Sequence, residues 1–176
     1  YNEDGIGIPF FQGRADFEIR FPSNRIYCTE PTRFANPGDT LVCVHAPVGD
    51  LNMASEKCAI GRGLAAIRHK TGSRYYTYYA MQSLEENFKQ FEAGGTVFGS
   101  INKIDFQNLK IVIPPPALVE KFEEICFPLD QMIENNDRES RTLASLRDSL
   151  LPKLMRGEVR VKALGRTCVS APCARP

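Results

Sequence analysis

A chain of 176 residues, 43% of them hydrophobic, is enough for one cored domain with an appendage. Its net charge of +1 carries no global signature of nucleic-acid or membrane binding. No apolar run reaches the length of a membrane span, and the N-terminus lacks a signal-peptide pattern.

Six cysteines (Cys28, Cys43, Cys58, Cys126, Cys168, Cys173) form no CxxC pair, and only two histidines are present. That argues against a zinc site or a disulfide framework. Reduced, cytosolic thiols are the default, with Cys43 and Cys58 expected inside strands. A first residue of Tyr1 marks the chain as a fragment or a trimmed protein.

Residues 1–113 read as a mixed α/β domain with short strands. Gly5-Ile6-Gly7 is a turn feeding the apolar Ile8-Pro9-Phe10-Phe11. Strands are expected at 16–21, 25–28 and 40–46, the last introduced by the turn Asn36-Pro37-Gly38-Asp39. Two more are expected at 57–60 and 64–68. Residues 75–93 place Tyr76, Tyr79, Ala80, Leu84, Phe88 and Phe91 at helical spacing, and Gly94-Gly95 ends the run. Short strands are expected again at 96–98 and 109–113.

Charge is uneven within this domain. Between Glu56 and Glu85 there is no acid, while Lys57, Arg62, Arg68, Lys70 and Arg74 all fall there. Basic side chains on glycine-containing backbone suit phosphate contacts, and arginine also reads guanine edges. A solvated basic face is the plain alternative. Gly61-Arg62-Gly63-Leu64-Ala65-Ala66 matches the GxGxxA spacing of a dinucleotide loop, yet Arg68-His69-Lys70-Thr71-Gly72-Ser73 interrupts where a long helix is required. The glycines are better explained by a tight turn or a close backbone approach. Cys43 and His45 alternate on one strand but lack an orienting third group. Asp39 and Asp50, near a turn, read as capping acids.

From 114 to 161 the pattern changes. Leu118, Phe122, Ile125, Leu129, Met132, Leu143, Leu146 and Leu150 recur in alternating steps of four and three, with Asn136 and Glu139 as the polar lapse. This is the seam of a helix packed along a second helix. Pro114-Pro115-Pro116 opens it, acids lie near its start and bases near its end, and Gly157 stops it. Pro128 predicts a kink and Pro152 a bent last turn. At 1.5 Å per residue, 118–151 spans on the order of 50 Å, more than a small domain covers, so a partner helix is expected. Residues 162–176 read as a flexible tail or appended sequence. The fold class is therefore α+β: a domain at 1–113, a long helix at 114–161 and a tail at 162–176.

The ordered series resembles the specificity (S) subunits of type I restriction–modification systems. It runs through Gly7-Ile8-Pro9-Phe10-Phe11-Gln12-Gly13-Arg14, Gly38-Asp39-Thr40-Leu41, Ile60-Gly61-Arg62-Gly63-Leu64-Ala65-Ala66-Ile67 and Leu150-Leu151-Pro152-Lys153-Leu154-Met155-Arg156-Gly157-Glu158. The resemblance implies a non-catalytic, cytoplasmic chain. One target-recognition domain would read half of a split site on double-stranded DNA, and the helix would serve as an antiparallel spacer. It implies methyltransferase subunits using S-adenosylmethionine and a restriction/motor subunit using ATP and magnesium, with no cofactor in this chain. Only one such domain and one helix are present, so the chain is half of a subunit, expected to dimerise with itself through antiparallel helices.

By their chemistry, Arg62, Arg68, Lys70 and Arg74 are the expected DNA contacts, with Gln12, Arg14, His45, Ser100, Asn102 and Lys103 as polar candidates on loops. Removing Arg68 and Lys70 together is expected to weaken DNA binding and flatten its salt dependence. Two other readings remain: a coiled-coil adaptor without a nucleic-acid role, which would show no salt-dependent DNA binding, and a dinucleotide enzyme, which a cofactor would stabilise.

Overall fold

The computed structural model describes residues 1–92 and 99–159. The elements are β1 (Ile8–Phe11), β2 (Tyr27–Cys28), β3 (Phe34–Ala35), β4 (Thr40–Cys43), β5 (Leu51–Met53), β6 (Cys58–Ile60) and β7 (Leu64–Ile67). Four helices follow: α1 (Arg74–Gln82), α2 (Glu85–Glu92), α3 (Lys103–Asn108) and α4 (Pro116–Met155). The architecture is the expected α+β, short strands followed by a long C-terminal helix.

Two small sheets share the core. In the first, of order β2-β1-β6-β3, β1 lies parallel to β6, with Phe10 opposite Ala59. In the second, of order β5-β4-β7, both neighbours of β4 are antiparallel, with Leu41 opposite Asn52 on one side and Ala66 on the other. Buried on both faces, β4 reads as an unbroken Thr-Leu-Val-Cys run and not as an alternation. Leu41 and Cys43 face the first sheet's Phe11, Cys58 and Ile60. Val42 faces Met81, Leu84 and Phe88 of the α1–α2 segment. Cys43 and Cys58 are buried in strands as expected, and Cys28, Cys43, Cys58 and Cys126 are free thiols.

Several expectations need correction. The strand expected at 16–21 is absent: a 3-10 turn covers Arg14–Asp16. The Asp16 carboxylate accepts from the backbone amides of Gln12 (2.7 Å) and Gly13 (3.3 Å) and pairs with Arg25 at 2.6 Å. A side-chain acceptor that satisfies local amides competes with a strand ladder. The single helix expected at 75–93 is two, broken at Ser83–Leu84, where the Ser83 hydroxyl donates to the Ala80 carbonyl. No strand forms at 109–113; there Val112 is 85% exposed, and its carbonyl accepts from the Tyr76 hydroxyl. The pieces β3, β5 and α3 were not expected; the strands are two and three residues long, too short for a period to register. Residues 94–98, with the expected turn and strand, and the tail at 162–176 lie outside the described residues.

The chain divides into two compact units, Tyr1–Glu134 and Asn135–Pro176, so the division falls within α4. That helix runs through Pro128 and Pro152 with no loop at either. Pro116 is its first residue, where an amide would have had no partner. At its other end the Glu158 amide donates to the Lys153 carbonyl (2.9 Å) and the Gly157 amide to Leu154 (3.0 Å), with Gly157 at φ 72°. This paired closure needs a left-handed residue, which glycine adopts without a Cβ clash. The stop read from Gly157 is therefore built as expected.

Candidate functional site

Strand β7 sorts the basic run into two groups. It starts beside the turn at 61–63 and ends at Ile67, so Arg62 and Arg68 stand at opposite ends of an extended strand. At about 3.3 Å per residue their backbones are on the order of 20 Å apart.

The turn at the start is pressed into place. The Gly61 amide donates to the Phe11 carbonyl (2.8 Å), and the Val44 amide donates to the Gly63 carbonyl (2.9 Å). A Cβ on Gly63 would lie 2.3 Å from the Gln12 carbonyl oxygen, a clash with backbone that cannot move aside. This is the close approach the glycine spacing suggested. The segment after it is strand β7, not the long helix a dinucleotide loop requires.

Around this turn the chain gathers polar side chains from four segments. Gln12 follows β1, and His45 follows β4 and bridges to Ser100. Asn102 caps α3 by accepting from the Asp105 amide at 2.9 Å, and Lys103 is that helix's first residue. A cleft of about 710 Å³ opens here, with Val44, Leu64, Ile101 and Phe106 in its walls and Arg33, His45, Arg62, Asn102 and Lys103 among the residues around them. Among the described residues no acid lines it. Gln12, Arg33 and Arg62 also share the lining of an adjoining depression. Fixed cations, an amide and an imidazole on exposed loops can bind phosphate oxygens and present donors and acceptors to base edges.

At the far end of β7 the cations are already engaged. Arg68 makes a two-pronged contact with Asp39, Nε to Oδ1 at 2.6 Å and Nη2 to Oδ2 at 2.8 Å. Asp39 also accepts from the Asn36 amide at 2.8 Å, the capping role expected of it. Arg74 lies over the Tyr75 ring and 3.7 Å from Glu134. Lys70 is exposed beyond this pair. Arg14, apart from both groups, pairs with Asp50 at 2.5 Å. Arg33 was not among the expected residues; it stands alone before a two-residue strand, outside the basic run that drew attention.

Nucleophilic chemistry has no seat at Cys43. Burial, with Asp50 next in importance, pushes its thiol up to about 12, so the sulfur stays protonated at neutral pH. His45, its expected companion, is exposed. Among the described residues no cluster of His, Cys, Asp or Glu is arranged to hold a metal ion, and no helix is long and apolar enough to cross a membrane.

The second candidate surface is the seam of α4. Leu118 (56%), Ile125 (66%), Leu129 and Met132 (61%) are exposed, as are Phe122, Asn136, Leu143, Leu146 and Leu150. The face turned to the domain is instead Val119, Glu123, Cys126 and Asp130. Cys126 packs with Phe21, Met53, Tyr75 and Tyr78. Glu123 accepts from the Tyr76 amide in the first turn of α1 at 2.8 Å. Asp130 pairs with Arg20 at 3.0 Å, both side chains below 10% exposure, and the Tyr79 hydroxyl bonds to both.

Residues 2–146 match the family model of the type I restriction modification DNA specificity domain. The chain is 32% identical over 164 residues to the MjaX specificity subunit of a type I restriction enzyme from Methanocaldococcus jannaschii, covering 92% of this chain and 38% of that protein. The HindI specificity subunit of Haemophilus influenzae is 25% identical over 123 residues, 67% of this chain and 27% of its own. In three dimensions the chain is similar to the HsdS subunit from Thermoanaerobacter tengcongensis, with a TM-score of 0.61 and 35% identity over 90% of this chain and 40% of that one. The chain thus spans about 40% of the length of these two leading relatives.

Proposed function

Because the chain belongs to the type I restriction–modification DNA specificity family, we propose that it reads one half of a bipartite DNA target and uses the seam of α4 to join a second copy of itself. Specificity subunits are the non-catalytic component of such complexes. Methylation and cleavage, with their S-adenosylmethionine, ATP and magnesium, fall to methyltransferase and motor subunits docked around it in the cytoplasm.

The observation that carries this reading is the exposure of the seam. Five apolar side chains between 118 and 132 stay in water while a charged face of the same helix is buried. Such a stripe is stable only when covered, and a second α4 supplies an equal stripe. The charges favour an antiparallel partner. Residues 116–134 carry five acids and one base, net −4; residues 135–156 carry five bases and three acids, net +2. Head-to-tail pairing sets opposite signs against each other. The groove of about 610 Å³ lined by Tyr76, Tyr79, Val112, Leu118 and Phe122 continues the stripe at the helix start, where the partner's Leu151 and Leu154 would arrive.

The acid-free cleft around Arg62 is the surface that supports DNA contact. Gln12, His45, Ser100, Asn102 and Lys103 are its base-edge and phosphate candidates, and Arg68, Lys70, Arg74 and Arg14 are phosphate contacts at the margin.

Deleting this locus in the source cell tests the reading. Sequencing of methylated bases is expected to lose a split motif of two short halves. An unchanged methylome would refute the assignment. In purified form, Arg62→Ala with Lys103→Ala is expected to weaken duplex binding about tenfold at 0.1 M salt and to lower the log–log salt slope by about 0.9 for each phosphate no longer neutralised. Arg68→Ala with Lys70→Ala is expected to cost less, because Arg68 is balanced by Asp39.

A further inference from the structure

Arg33 reaches out of the segment before β3 and grips the turn that carries Arg62. Its Nη1 donates to the Gly61 carbonyl at 2.9 Å and its Nη2 to the Leu64 carbonyl at 3.1 Å. Its own backbone is held, the Arg33 carbonyl accepting from the Ile60 amide at 3.1 Å. One rigid guanidinium thus spans both ends of the turn, in the fork geometry that lysine cannot supply. Between those two carbonyls Arg62 is exposed and, among the described residues, has no partner of its own.

We infer that Arg33 is a positioning residue for sequence readout: it fixes the direction in which the turn presents Arg62, while making no essential phosphate contact itself. The inference rests on the reading of this cleft as the DNA-facing surface. A long side chain reads a base edge only if its Cα enters at a set angle, because bidentate bonds to guanine tolerate little misalignment. The turn meets that need from three sides. Gly61 is tied to β1, Gly63 to β4, and Arg33 closes the outer edge, where no strand lies. Without the fork, both carbonyls can bond water, so the domain still folds, but the turn is left without its only side-chain brace among the described residues. Binding strength, dominated by phosphates, and discrimination, dominated by geometry, then separate.

The test uses the full chain as wild type and as Arg33→Ala, Arg33→Lys and Arg62→Ala, each checked by thermal unfolding. The probe is a pool of randomised 30-base-pair duplexes, with bound fractions sequenced and affinity followed from 50 to 200 mM salt. The expected result is that Arg62→Ala erases preference at one base position. Arg33→Ala should blur that same position about tenfold, with the salt slope unchanged and no rescue by lysine. A slope lowered by about 0.9 in Arg33→Ala, restored by Arg33→Lys, would make Arg33 a direct phosphate ligand and overturn the inference alone. An unaltered preference in Arg33→Ala, with Arg62→Ala defective, would also overturn it alone. An Arg62→Ala protein with wild-type preference and affinity would overturn the inference together with the assignment of the cleft.

Discussion

The two faces of α4 reverse the usual order of burial. Facing the domain are Val119, Glu123, Cys126 and Asp130, of which two are carboxylates; facing water are Leu118, Phe122, Ile125, Leu129 and Met132. A helix that only completed its own core would do the opposite. Each face has a different task. The inner one is specified by directional bonds: Asp130 to Arg20 and Tyr79, Glu123 to the amide of Tyr76. Arg20 also stacks 4.0 Å from the Tyr78 ring. Replacing buried ion pairs by apolar residues is often neutral or stabilising, so their presence is better explained by geometry than by strength. An oily contact would let the helix roll or slide on the domain; a charge paired in one place does not. The outer face is non-directional and gains its energy on being covered.

The largest effect should come from spoiling the outer face. Leu129→Glu with Leu146→Glu removes two apolar side chains per copy from the proposed interface, each worth about 1.5–3 kcal/mol when buried. Light scattering at tens of micromolar is expected to fall from dimer to monomer mass, with the domain's own fold unchanged by circular dichroism. A wild-type chain that is already monomeric there would remove the interface.

The inner face should answer next. Asp130→Ala leaves Arg20 buried without its partner and is expected to lower the unfolding free energy by about 3 kcal/mol in urea, while Arg20→Met with Asp130→Leu recovers most of it. A single substitution costing under about 0.5 kcal/mol would mean that water reaches the pair.

The smallest effect distinguishes the faces chemically. Burial, and then the Asp130 carboxylate, holds the Cys126 thiol above its ordinary 9.0. Ile125→Cys, one step around the helix, has no such burial. At pH 8 in dilute monomer, Cys126 is expected to alkylate about tenfold more slowly than the cysteine introduced at 125. The same burial acts on Cys43 and Cys58, both pushed up to about 12. Unfolded thiols ionise near 9 while the native ones keep their protons. The stability held in these groups is therefore complete below pH 9 and is lost as pH rises toward 12. Equal alkylation rates, or a flat stability between pH 9 and 11, would contradict the burial.

The basic run between Glu56 and Glu85 shows where linear inspection stops. Arg62 and Arg68 are six residues apart and look like one patch, but an extended strand carries them to opposite ends of the domain. There Asp39, twenty-nine positions upstream of Arg68, neutralises one of them. Conversely, Gln12, His45 and Lys103 are distant in sequence and meet around one turn. Arg33 belongs with them, yet nothing in its neighbourhood distinguishes it. The acid at Asp16 misled the strand assignment because its two amide bonds are invisible to hydrophobic alternation.

Local rules therefore settled what depends on neighbours a few residues away: the start at Pro116, the stop at Gly157, the apolar seam, the tight contact at Gly63 and the burial of Cys43 and Cys58. Periodicity and backbone sterics act over one or two turns, so they are written in the sequence itself. Which face of α4 the domain takes, which arginines are already paired and which loops share a cleft depend on contacts between segments dozens of residues apart. Those were decided only when strands β4 and β7 paired and Arg20 found Asp130, because a charge is balanced by whatever lies beside it in space.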